Sequence, residues 1–308
     1  MKLKLSLFLM SAVLFAACGG STATSEANKT AGNPTANNEK AKTAESPSAP
    51  VGEAKFPFSD FPAVETTAKA GDVVLVPSFN WILDAVEKGG DKVTFIWYDQ
   101  KMANPGKEMS EVQFMSNTHK VPNAYIIPIA PNGKAKKGDI LLTWWQSGSG
   151  MQRAIVTDDA NPSEPVVRYL DIEYDNPAKA KDGTTSIGQM DEKLKPNSFV
   201  KINAPMEPGS VTAIQDGADL LHGQVIRAAG EKVFVQMFAG KVGVYDKSKC
   251  QPVPLVPNVK EGDTVKAERY GKFSAGKVSK VDAKIGRVWV KFDGSDKEAV
   301  VAFGDVMK

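Results

Sequence analysis

Gly262-Asp-Thr-Val-Lys-Ala267, Gly276-Lys-Val278 and Val288-Trp-Val-Lys-Phe-Asp-Gly294 decide how this chain folds. In the last stretch Val288, Val290 and Phe292 alternate with Trp289 and Lys291, the period-two pattern of a half-buried strand. Asp293-Gly294 then marks a tight hairpin turn, because glycine takes positive φ at no steric cost. Val300, Val301, Phe303 and Val306 supply a final apolar stretch. The opening phrase recurs upstream. Lys69-Ala-Gly-Asp-Val73, Lys136-Lys-Gly-Asp-Ile140 and Lys260-Glu-Gly-Asp-Thr264 are related, with Glu207-Pro-Gly-Ser-Val211 as a looser fourth copy. Their glycines stand 67, 71 and 53 residues apart, a spacing that suits a repeated small module. Gly223-Gln-Val225 and Gly276-Lys-Val278 each follow their module glycine by 14 residues. Each module then holds four or five short strands. A sheet that small must curl on itself to cover one face and protect its edges, which makes a small barrel. Helical periodicity is weak throughout, and its best stretch, Trp81 to Glu87, is short.

The last module, with its Gly-Asp opening, Gly276-x-Val278 and the run from Val288 to Gly294, resembles a Tudor-like domain. Module one matches at Gly71-Asp-x-Val74-x-Val76 and Trp97-Tyr98-Asp99, and module two at Gly138-Asp-x-Leu141 and Tyr169-Leu170-Asp171. Module three keeps Gly223 and Phe238 but loses the Asp after its opening glycine. The resemblance implies an all-β chain of tandem five-stranded barrels over residues 64–134, 135–203, 204–257 and 258–308. The expected arrangement is two tandem pairs, 64–203 and 204–308. It also implies binding rather than catalysis, through an aromatic cage that attracts methylated Lys or Arg by cation–π contact. The positions that would line such a surface are Trp145, Tyr169, Tyr270, Phe273, Trp289 and Phe292. Core packing is the competing role for each. Adjacent strand residues point to opposite faces, so one of Trp144 and Trp145 is expected inside and the other at a surface or module interface.

The N-terminus points to export. Lys2 and Lys4 precede the apolar run Leu5 to Phe15, and Leu14-Phe15-Ala16-Ala17-Cys18 closes it with small residues. This is the layout of a signal peptide, residues 1–17, too short to remain as a membrane-spanning helix. The ending resembles the lipobox of bacterial lipoproteins, which implies acylation of Cys18. Gly19 in place of Asp implies sorting to the outer membrane. Residues 19–50 hold no Val, Ile, Leu, Met, Phe, Tyr or Trp. Such a stretch cannot offset its ordering entropy, so residues 18–63 are expected to be a disordered linker, of which residues 19–50 alone would reach roughly 30 Å.

Composition narrows the function. Without residues 1–17 the side chains are 36 basic against 36 acidic, which argues against a general nucleic-acid binder. Cys250 is then the one cysteine besides Cys18, so it has no partner for a disulfide in the folded body. His119 and His222 lack a second His or Cys at metal-ligand spacing, and no nucleophile elbow or phosphate-cradling loop is present. No metal, cofactor or catalytic residue is expected. Between Lys266 and Lys291 eight basic residues face two acidic ones: Lys266, Arg269, Lys272, Lys277, Lys280, Lys284, Arg287 and Lys291 against Glu268 and Asp282. Such a patch could draw anionic headgroups or glycans, or simply discourage edge pairing. The expectation is a non-catalytic, lipid-anchored protein of the bacterial cell envelope that binds a protein or an anionic glycan. A purely structural envelope lipoprotein is the alternative, and a wall-polymer hydrolase is the third.

Overall fold

The opening phrase Lys-x-Gly-Asp is a closed turn, and its local geometry explains why it recurs. In the computed structural model Gly71, Gly138, Gly209 and Gly262 share φ near +88° (88°, 88°, 88° and 87°), where a side chain is strained. At Gly71, Gly138 and Gly262 a Cβ would meet nothing, so conformation and not space selects glycine there. The carboxylates of Asp72, Asp139 and Asp263 each accept from the backbone N–H of the Lys three residues earlier, at 2.8, 2.9 and 2.9 Å. The turn is then tied to the second strand of its module. Gly71, Gly138, Gly209 and Gly262 donate to the carbonyls of Met102, Val156, Val225 and Val278 at 2.8 to 2.9 Å. Each of those four residues borders a β-bulge. A bulge at the same point bends the second strand, which lets a five-stranded sheet curl around its own core.

The structure describes residues 56–88, 93–172 and 189–308. The leader 1–17, Cys18 and the part of the tether before residue 56 lie outside the described residues. Barrel 1 comprises β1 (Val73–Pro77), β2 (Trp97–Asn104), β3 (Met109–Phe114), β4 (Asn117–Pro122) and β5 (Ile127–Pro128). Barrel 2 holds β6 (Ile140–Trp144), β7 (Met151–Asp158), β8 (Val166–Tyr169), β9 (Asp191–Lys193) and β10 (Val200–Lys201). Barrel 3 holds β11 (Val211–Asp216), β12 (Asp219–Ala229), β13 (Lys232–Met237), β14 (Val242–Asp246) and β15 (Cys250–Pro252). Barrel 4 holds β16 (Thr264–Arg269), β17 (Lys272–Asp282), β18 (Arg287–Phe292), β19 (Glu298–Ala302) and β20 (Val306–Met307). All four have one antiparallel order: the first four strands form a meander and the fifth returns beside the first. The fold is therefore all-β, built from small five-stranded curled sheets.

The Gly-x-Val recurrence has a packing reason. A Cβ on Gly276 would lie 2.7 Å from Val290 Cγ1 and 2.8 Å from Lys291 O, and one on Gly223 would lie 2.8 Å from Ile214 Cδ1. Both glycines sit on the long second strand, where the curled sheet brings a neighbouring strand too close for a side chain.

Three expectations need correction. The tether does not run to residue 63: Phe61 is buried, and Phe58 and Phe61 lie 5.3 and 6.0 Å from Phe234 in barrel 3. Three phenylalanines in six residues give this segment the apolar area that residues 19–50 lack. The barrels also do not pair simply as 64–203 and 204–308. Barrel 1 packs on barrel 3, where Phe95 N–H donates to Gly240 O at 2.8 Å and Val242 N–H to Val93 O at 3.0 Å. Barrel 2 packs on barrel 4 through Arg153 and Arg287, and barrels 3 and 4 meet at Leu221 and Lys272. Finally, among the described residues one α-helix forms, α1 (Phe79–Lys88), three residues longer than the Trp81–Glu87 stretch. It buries Ile82 and Ala85 and carries an Asp84–Lys88 ion pair at 2.5 Å.

Candidate functional site

Most of the aromatics expected to meet a ligand are inside. Trp145 is 6 % exposed; its indole donates to Gln189 O at 2.8 Å and its ring meets Tyr169 edge-on at 6.5 Å. Tyr169 is fully buried, and its hydroxyl bonds Glu192. Burial, reinforced by that carboxylate, pushes the Tyr169 hydroxyl far above the ordinary tyrosine range. Phe273 and Phe292 are buried too, the former against Val211, Val253 and Met307 at the seam of barrels 3 and 4. These four are core residues, because the strand faces that carry them are covered by their own barrel or the next one. Trp289 is half-buried with the Lys280 ammonium 4.4 Å from its ring centre. Tyr270 alone stands out, 78 % exposed, with Arg269 5.7 Å from its ring centre. No cage forms from these residues. Of the Trp144–Trp145 pair one is buried and the other half-buried, as alternation requires.

The basic patch is smaller than the sequence suggests. Arg287 is 4 % exposed and donates to the carbonyls of Leu170 and Tyr169 at 2.7 and 2.9 Å, so it fastens barrel 2 instead of facing solvent. Lys272 pairs with Asp219 at 2.6 Å, and Arg269 lies 5.0 Å from the Phe292 ring centre. Lys266, Lys277, Lys280, Lys284 and Lys291 are exposed, with Lys277 directly opposite Lys291.

A polar junction lies where barrels 2, 3 and 4 meet, and the sequence gives no sign of it. Arg153 on β7 is 2 % exposed. Its Nη2 donates to Asp171 Oδ1 at 2.5 Å and to both Asp305 oxygens at 2.9 Å, and its Nη1 donates to Phe303 O at 3.1 Å. His222 Nε2 lies 2.9 Å from Asp305 Oδ1; an ionised carboxylate only accepts, so that nitrogen donates. Burial alone would raise the Asp305 carboxyl, but the Arg153 charge and His222 outweigh it and hold it at about 2. A carboxyl lowered on folding contributes stability above its ordinary value and loses it as pH falls through the folded value. Denaturant titrations are therefore expected to show a decline of about 2 kcal/mol between pH 4 and pH 2, absent from Asp305→Asn. The same decline in that variant would assign it to other carboxylates.

This junction opens on a cleft of about 590 Å³ lined by Arg153, Asp171, His222, Glu268, Arg287 and Asp305, among others. Its polar groups are already engaged. Besides the bonds around Arg153, Glu268 accepts from Gly271 N–H at 2.8 Å and Gln236 donates to Phe95 O at 2.8 Å. The cleft holds the barrels in register, with few groups left for a ligand.

A second depression, of about 510 Å³, lies on barrel 1 and has the opposite character. The first turn of α1 brings Phe79, Asn80 and Trp81; β2 brings Tyr98, Asp99 and Gln100; the β3–β4 hairpin brings Phe114, Met115, Asn117 and His119. Phe79, Trp81, Tyr98, Phe114 and His119 are all half-buried, and Met115, at φ +54°, is 94 % exposed. Phe79 and His119 stack at 3.7 Å and 7°, with Phe114 tilted beside them at 5.7 and 5.9 Å. The side chains of Asn80, Asp99, Gln100 and Asn117 form no hydrogen bond or ion pair with any described residue. Sequence reading misses this groove because its aromatics come from a helix, a strand and a hairpin up to 40 residues apart. The one signal in the sequence is Trp97-Tyr98-Asp99, a repeat element whose second and third residues turn out to line the groove.

No family model matches the chain, and no curated protein does. Among solved structures the chain aligns with the four MBT repeats of Drosophila melanogaster Sfmbt in complex with a methyl-lysine peptide. That alignment has 9 % identity, covers 82 % of this chain and 91 % of the other, and has a TM-score of 0.16. Agreement that loose bears on neither fold nor ligand, so the geometry of the groove has to carry the function.

Proposed function

We propose that this chain is a non-catalytic binding protein, anchored through acylated Cys18 to the bacterial envelope at its outer membrane. In this reading barrel 1 holds the partner in its aromatic groove, and barrels 2 to 4 form the base that presents it. One observation carries the proposal. Among the described residues, barrel 1 gathers half-buried rings around unengaged amides and a carboxylate, whereas the expected aromatics of barrels 2 and 4 are largely in cores. Apolar platforms with a few convergent polar groups are the usual chemistry of a binding site. The groove is lined by no Lys or Arg, so it does not suit an anionic partner. The exposed lysines of barrel 4 remain the place where an anionic surface would be met.

The structural-lipoprotein alternative draws on the same packing of barrels, and the groove separates the two readings. A photo-crosslinking residue at Met115 in intact cells is expected to trap a partner, while one at Lys277 traps none of that species. Equal trapping at both positions, or none at Met115, favours the scaffold. The anchor is tested separately: a fatty-acid probe should label the chain and leave Cys18→Ser unlabelled.

A further inference from the structure

We infer that the barrel 1 groove binds an uncharged saccharide, a conclusion that rests on the groove being the binding site. Three features of the lining select the ligand class. The first is charge. Asp99 is the sole carboxylate among the lining residues, and no Lys or Arg joins it, so phosphate, sulfate and carboxylate groups are repelled. The second is ring arrangement. A cage for a methylated ammonium needs several ring faces turned toward one void. Here Phe79 and His119 use their faces on each other at 3.7 Å and 7°, and Phe114 leans on both, so three of the five rings form a packed platform. Trp81 and Tyr98, the two lining rings outside that stack, are left to meet the C–H face of a pyranose ring, too few for a cage. The third is hydrogen-bonding type. Asp99 only accepts, the Trp81 indole only donates, and Asn80, Gln100 and Asn117 each do both. Proline lacks a backbone N–H, so a proline-rich peptide offers Asp99 fewer donors than a saccharide with several hydroxyl groups does. Hydroxyl groups donate and accept in turn and can satisfy the whole set. The volume of about 510 Å³ accommodates two or three sugar rings.

The test is calorimetric titration of the full acylated chain, held in a detergent without a sugar headgroup. Maltotriose, cellotriose and N,N′,N″-triacetylchitotriose serve as neutral probes, with tetramethylammonium and a proline-rich peptide as competitors. The expected result is saturable binding of at least one trisaccharide. Asn80→Ala and Asp99→Ala, both exposed and with side chains bonded to no other described residue, should each weaken it tenfold or more. Lys277→Ala should leave it unchanged. Trp81→Ala should also abolish it, but Trp81 packs on the core, so the two exposed positions keep the test independent of folding. Saturation by tetramethylammonium or the peptide instead, with trisaccharides inert, overturns the saccharide and leaves the groove as a site. No binding by any probe overturns the saccharide as well, and if Met115 also traps nothing in cells the groove itself fails as the binding site.

Discussion

Arg153→Met is expected to cost about 3 to 5 kcal/mol of folding stability. The reason is what the substitution leaves behind. Asp305 and Asp171, whose side chains are 12 % and 24 % exposed, would face each other with no cation between them. Among the described residues His222 would be the one remaining donor to the Asp305 side chain, and Phe303 O would lose the N–H that reaches it from 150 residues earlier. A buried ion pair is weak evidence of net stabilisation, yet removing one member strands a charge. The contrast makes the claim testable. Arg153→Met combined with Asp171→Leu and Asp305→Leu removes the three charges of this ion-paired cluster together and should recover part of the loss, the remainder reflecting the partners that His222, Phe303 O and the residue 153 N–H lose. Urea unfolding midpoints of the single and triple variants decide it. A single variant within about 1 kcal/mol of the parent would mean that the junction is hydrated and contributes little.

Phe234→Ala should cost a similar amount, about 3 to 5 kcal/mol, by a different mechanism. Phe234 on β13 is fully buried, and its ring lies 5.3 to 6.1 Å from Phe58, Phe61, Trp97 and Tyr125. It therefore joins barrel 3, barrel 1 and the segment before β1 in one apolar cluster. Truncation removes the largest side chain that barrel 3 gives to that seam. It leaves a cavity walled by rings that belong to separate elements, so collapse onto it is limited. Beyond the loss in unfolding midpoint, limited proteolysis should cut near Phe56–Phe61 sooner in the variant than in the parent, because that segment loses its main anchor. Unchanged cleavage there would show that the Tyr125 hydroxyl, which bonds Pro57 O, holds the segment without Phe234.

The Lys-x-Gly-Asp turns are legible in the sequence because every interaction that makes them lies within three residues. A glycine that tolerates φ near +88° and an aspartate that caps the lysine N–H need no knowledge of the rest of the chain. The alternation in β18 is local in the same way; the Gly-x-Val pairs are legible only as a recurrence, because the crowding that excludes a side chain comes from a neighbouring strand. The fate of the aromatics is not legible. Trp145 and Tyr98 both follow a residue that starts or ends a strand, and one is buried while the other lines a groove. That difference depends on whether a later segment, such as Gln189 to Leu194, returns to cover the site.

His222 shows the limit most clearly. Alone in sequence it has no partner; in the fold it meets Asp305, 83 residues away, which also holds Arg153, 152 residues away. Repetition, strand content and the curled five-stranded unit follow from residues close together in the chain, where sterics and short hydrogen bonds set the backbone directly. Which barrel rests on which, which charges are buried together and which rings stay open to a ligand were decided only when distant faces met, since burial is a property of what covers a residue and not of the residue itself.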